Sequence, residues 1–188
     1  MKNLNHVLVQ CLGEQIALEE HLYSEIEKQI SEIDESNYGD AKTVLMKTKE
    51  VLEEHFNSLN ESLDTLERDA KETRKQMIVG NGDGSREPFF PAKAKTRISI
   101  HLRNNYVALN LVTMSNALLH TTALALNYQE VAAIALKHLQ NLAPLVAQIG
   151  GLLPDVVARE LYAESPDIDP SIGKIALKNA QLVWLKSI

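Results

Sequence analysis

A chain of 188 residues with a net charge of −6, 45% hydrophobic but only 5% aromatic residues, is long enough for a well-cored domain with an aliphatic interior. Its eight glycines are mostly confined to short regions instead of recurring at turn spacing, which excludes a sandwich or barrel, and no run of five or six basic residues offers a nucleic-acid footprint. The single cysteine, Cys11, excludes an internal disulfide and fits a reducing cytoplasm.

The apolar run Val7 to Leu12 is interrupted by Gln10 and followed by Glu14, so neither a signal peptide nor a membrane span is expected at this end. Helix one is predicted from about Asn5 to Glu32, with Leu4, Leu8, Cys11, Leu18, Leu22, Ile26 and Ile33 on one stripe. Gln15 and Gln29 share that stripe, which is unusual for a purely apolar core. Residues 34–40 carry turn chemistry, with Asp40 placed to cap the next helix, so helices one and two form an antiparallel hairpin. Helix two is anchored on a seven-residue repeat, Leu45, Leu52, Leu59 and Leu66, with Phe56 and Leu63 on the same side.

The run Gly80 to Ser85 and the segment Pro88-Phe89-Phe90-Pro91 cannot continue a helix, and they read as a long crossover. Helix three follows from about Lys95 to Leu126, and Asn127 with Glu130 resembles a capping box that starts helix four. Pro144 should kink helix four and Gly150-Gly151 should end it, leaving Pro154 to Glu164 as a further short helix or a resumption. Residues 165–170 read as a linker, and Ser171 to Leu185 as a terminal helix. The fold class is therefore all-α: residues 1–164 form a ferritin-like four-helix bundle with a long crossover between helices two and three, and residues 165–188 add a linker and a helix docked on the bundle or on a partner subunit.

A dinuclear centre in such a bundle takes carboxylates from all four helices and a Glu-x-x-His pair from two of them, because two adjacent cations need bridging negative charge. Here Leu18 precedes His21 and Leu52 precedes His55 at that spacing, and no Asp or Glu lies between Glu87 and Glu130 or between Glu130 and Asp155. Glu14, His21 and Glu25 share one flank of helix one and, with His55, make a candidate mononuclear set for iron or another divalent metal. The competing reading keeps both histidines hydrogen-bonded at the core boundary with no cofactor bound. Asn105 and Asn116 occupy core positions among Ile98, Leu102, Leu109, Val112, Leu119 and Leu126. They either bond Gln15, Gln29 or the histidines across the core or line a small polar pocket.

The runs Tyr23 to Ile30, Leu52-Glu53-Glu54, and Leu126-Asn127-Tyr128 leading into Val131-Ala132-Ala133 resemble the ferritin-like stress-protein family of the YciE/YciF type over roughly residues 10–150. The resemblance implies a ferritin-like bundle, often dimeric, whose members can retain core carboxylate ligands. Apart from Glu130, the stretch Asn104 to Leu142 offers no acidic counterpart, so the fold is carried over and no metal ligand is. The leading expectation is a soluble, non-enzymatic cytoplasmic protein that acts as a homodimer or on a protein partner, with neither nucleic acid nor membrane involved. Ala117, Ala123, Ala125, Ala132, Ala133 and Ala135 permit the close helix approach this needs. The alternative is a metal-binding protein with an unconventional bundle-core site.

Overall fold

In the computed structural model, which describes residues 4–71 and 97–185, the chain is all-helical: α1 (Leu4–Glu32), α2 (Glu35–Lys71), α3 (Ile98–Ala125), α4 (Gln129–Glu164) and α5 (Ile172–Leu185). The expected crossover, with its glycine run and Phe89-Phe90, lies outside the described residues.

On the first four helices the buried positions advance by alternating steps of three and four, the spacing that keeps one seam facing its neighbours. On α1 they are Leu8, Leu12, Gln15, Glu19, Leu22, Ile26 and Gln29, continued by Ile33 just past its end; on α2, Ala41, Leu45, Thr48, Leu52, His55 and Leu59. The same rhythm buries Leu102, Asn105, Leu109, Val112, Asn116, Leu119 and Ala123 on α3, and Val131, Ala135, His138, Leu142, Leu145 and Ile149 on α4.

Helix α1 packs on α2 and α3, α4 packs on α2 and α3, and α5 packs on α4. Gln29 meets Asn105 while Glu19 meets Asn116, so α1 and α3 are antiparallel; His55 meets Asn141 while Asp40 meets Arg159, so α2 and α4 are too. Helices α2 and α3 consequently run in the same direction.

Several boundaries depart from the sequence expectations. Helix α2 starts at Glu35, because the Asp34 carboxylate accepts from the Ser36 amide and hydroxyl and from the Asn37 side chain. The expected turn survives as a kink at Tyr38 (φ −138°, ψ 35°), held by Arg159, which donates to the Asn37 carbonyl and the Asp40 carboxylate. Gly150-Gly151 does not end α4, which continues to Glu164 with Pro144 and Pro154 inside it. Gly150 instead lets α3 come close, since a Cβ there would lie 3.0 Å from the Tyr106 ring. Asn127 is not an N-cap either. It takes the left-handed conformation (φ 62°) that closes α3 as a Schellman motif, with Asn127 N donating to Leu124 O and Tyr128 N to Ala123 O.

Among the described residues, α3 and α4 are long and apolar enough to cross a membrane by length and composition alone. Their buried Asn105, Asn116, His138 and Glu160 face other helices, while Val107, Leu111, Met114 and Leu118 on α3 and Leu136 and Val157 on α4 are exposed.

Candidate metal centre

The apolar core is split in two. One cluster contains Leu22, Leu52, Val112 and Leu142, and the other Ile16, Leu59, Leu119 and Ala135. In each helix the gap between the clusters holds a buried polar residue: Glu19 on α1, His55 on α2, Asn116 on α3 and His138 on α4. A single level of the interior is therefore polar on all four sides.

At its centre Glu19 is 0% exposed and His55 and His138 are each 2% exposed. Each of the three offers one ligand atom, and these atoms lie within 4.8 Å of one another. Glu19 Oε1 accepts from Gln15 Nε2 and from Asn116 Nδ2 (3.0 Å), so one carboxylate oxygen is doubly held. Glu19 Oε2 has no hydrogen-bond partner and stands 3.6 Å from His55 Nδ1, beyond hydrogen-bond length. The two imidazoles stack, with centroids 3.7 Å apart and planes 8° from parallel.

The outer ring nitrogens are fixed by neighbours. His55 Nε2 lies 3.2 Å from Asn141 Nδ2, and His138 Nε2 lies 3.0 Å from Ser58 Oγ. The Ser58 hydroxyl donates its only proton to the His55 carbonyl (2.8 Å), so toward His138 it can only accept. His138 therefore carries its proton on Nε2, and its Nδ1 presents a bare lone pair. That atom, His55 Nδ1, Glu19 Oε2, Gln15 Oε1 and Asn116 Oδ1 are all buried without a hydrogen-bond partner. The side-chain amide donors of Gln15 and Asn116 are engaged, leaving their oxygens as unpaired acceptors; His55, whose Nε2 faces the donor-only Asn141 Nδ2, carries its proton on Nδ1 toward Glu19 Oε2, and a cation bound there would displace it.

Electrostatics follow from burial. Loss of solvent pushes Glu19 up to about 7, against the opposing hydrogen bonds from Gln15 and Asn116. The same cause pulls His55 down to about 3, helped by His138 and Lys137, and His138 down to about 4, helped by Lys137. At neutral pH both imidazoles are neutral, the form that ligates metals, while Glu19, with its pKa pushed up to about 7, is divided between its protonated and ionised forms, and a cation would favour the ionised one.

Of the four residues singled out from sequence, His55 belongs to this group and the other three lie apart from it. Glu14 is exposed and accepts from Gln10 Nε2 at 2.9 Å, His21 is exposed, and Glu25 pairs with Lys28 at 2.7 Å. The sequence reading placed Glu14, His21 and Glu25 on a flank, whereas the seam runs through Glu19, two residues before His21. Asn116 joins the group by bonding Glu19, and Asn105 donates to Gln29 Oε1 at 2.6 Å in a separate polar pair further along the core. Glu19 and His138 were missed; the alternating three-and-four spacing that places both on buried seams was the available signal. No known family matches this chain, and no curated protein or solved structure matches it.

Proposed function

We propose that the protein is a ferritin-like four-helix bundle that binds a single divalent transition-metal ion through Glu19, His55 and His138. The observation that carries this reading is the convergence of three buried ligand groups whose Glu19 Oε2, His55 Nδ1 and His138 Nδ1 have no other hydrogen-bond partner. Two imidazoles and one carboxylate suit zinc or ferrous iron and not magnesium or calcium, which take oxygen ligands. With three protein ligands, such an ion keeps at least one position for an exogenous ligand.

The register supports the ferritin-like reading. In a dinuclear bundle of this kind two helices each give a Glu and two give a Glu-x-x-His pair. Glu19 stands in the first role and Asn116 in the second, while Leu52-x-x-His55 and Ala135-x-x-His138 stand where the two pairs would be. Three of four carboxylates are replaced, which removes the charge needed to bridge a second ion. The parallel directions of α2 and α3 also call for a connection that travels the length of the bundle.

Parallel stacked rings direct their in-plane lone pairs along parallel lines, so a shared ion requires one imidazole to turn about χ2. Equilibration with zinc or anaerobic ferrous iron, desalting and elemental analysis should return one ion per chain in the wild type. The His55→Ala and His138→Ala variants should retain none. Retention of metal by the double variant, or no retention by wild type, sinks the reading.

A second reading, self-association as a homodimer in the cytoplasm, is favoured by one surface. Val107, Leu111, Met114 and Leu118 are exposed on α3 at positions i, i+4, i+7 and i+11, in a stretch without Asp, Glu, Lys or Arg from Asn104 to Gln129.

A further inference from the structure

The two stacked imidazoles carry their protons on opposite nitrogens. Ser58 Oγ can only accept from His138, which puts that proton on Nε2 and leaves Nδ1 bare. The Asn141 amide nitrogen can only donate to His55 Nε2, which puts the His55 proton on Nδ1. His138 is therefore already in the form that ligates through Nδ1, and His55 is not. Its Nδ1 proton points toward Glu19 Oε2, 3.6 Å away.

The two neighbours differ in what they can change. The Ser58 hydroxyl is committed to the His55 carbonyl at 2.8 Å, so it stays an acceptor. Asn141 is half-buried on α4, three residues after His138, and half a revolution of its amide about χ2 exchanges Nδ2 for Oδ1 with almost no change of shape. With Oδ1 toward His55 it accepts from Nε2–H, and the Nδ1 lone pair is freed.

We propose that Asn141 is the positioning residue that governs metal access to this site: as a donor it keeps the His55 proton on Nδ1 and the site closed, and as an acceptor it draws that proton to Nε2 and opens Nδ1 to the ion. This rests on the metal-binding reading above. The exchange balances, since one proton leaves Nδ1 and one is taken up at Nε2 through water, and the ring stays neutral throughout. The partner of the far ring nitrogen matters to a ligating imidazole because it fixes both the tautomer and the orientation of the ring, an influence worth about 10–100-fold in metal affinity.

The test is a long-range proton–nitrogen NMR spectrum of the metal-free protein above neutral pH, which reads the ring nitrogen that is protonated, paired with zinc affinity measured by competition against a chelator. Metal-free wild type should show His55 protonated on Nδ1 and His138 on Nε2, and zinc should leave both protonated on Nε2. The Asn141→Asp variant, whose carboxylate accepts and does not donate, should carry the His55 proton on Nε2 before any metal is added and should bind zinc about tenfold more tightly. Tighter binding with that proton still on Nδ1 would be an effect of the added charge alone and overturns the inference. Metal-free wild type with His55 protonated on Nε2 also overturns it while leaving the metal site intact. Absence of zinc binding by wild type overturns the metal reading and the role of Asn141 with it.

Discussion

Glu19 is costly to keep as an anion, because one of its oxygens is buried 3.6 Å from His55 Nδ1 without a hydrogen bond. Its raised pKa sets a sign for stability. A carboxyl pushed from 4.5 to about 7 holds its proton more tightly when folded, so its contribution is complete below pH 4.5 and is lost as pH rises through 7. His55 and His138 act oppositely. Each is lowered from 6.5, so each contribution is complete above pH 6.5 and is lost as pH falls through about 4 for His138 and about 3 for His55. Between 4.5 and 6.5 two histidines oppose one carboxyl, and stability rises with pH; between 6.5 and 7 the carboxyl alone titrates, and stability falls. Urea midpoints of metal-free protein should therefore peak near pH 6.5, and saturating zinc should remove the alkaline decline. Glu19→Gln should raise metal-free stability by about 2 kcal/mol on the alkaline side, with little gain in acid, while abolishing metal retention. An alkaline decline that persists in Glu19→Gln would assign the titration to another group.

At the scale of elements, close approach is decided by individual glycines. A Cβ on Gly173 would lie 2.7 Å from Asp155 Cα and 2.8 Å from the Pro154 carbonyl, both backbone, so α5 must move away from α4 to accommodate it. Gly173→Ala should accelerate proteolysis and amide exchange within α5, at a cost of about 1–3 kcal/mol for the misfit. Gly151, also helical, has nothing within 4 Å of such a Cβ. Gly151→Ala should therefore stabilise α4 by about 0.5–1 kcal/mol in the same denaturation assay. Similar losses in both variants would mean that helix propensity and not contact governs these positions. Glu160 adds a different kind of tie, because its carboxylate on α4 accepts from both the amide and the hydroxyl of Ser99 in the first turn of α3. A donor orphaned at one helix end is thus satisfied by a carboxylate from its neighbour.

For the whole molecule, an uncharged apolar stripe on α3 is the surface best suited to meeting a second copy, since identical faces without charge meet without repulsion. Sedimentation should give a dimer for wild type and a monomer for Met114→Glu/Leu118→Glu, with metal retention unaffected because neither residue belongs to the buried group. A wild-type monomer at high concentration removes the self-association reading.

The amino-acid sequence by itself determined that the chain is helical and roughly where the helices lie, because the seven-residue leucine repeat of α2 and the apolar periodicity of its neighbours admit no other element. It also marked His55 and Asn116 as polar residues near buried seams. It did not select Glu19 over His21, because two stripes on α1 share Leu8, Leu22, Ile26 and Ile33, and only the faces covered by α2 and α3 decide which stripe is buried. Nor did it foretell that α4 passes through Gly150-Gly151 without ending, since packing against three other helices outweighs two weak helix formers. The meeting of Glu19, His55, Asn116 and His138 at one level was decided by tertiary structure alone. Periodicity fixes how a helix is rotated about its own axis, but the stagger of one helix along another is set by how side chains interdigitate across the interface.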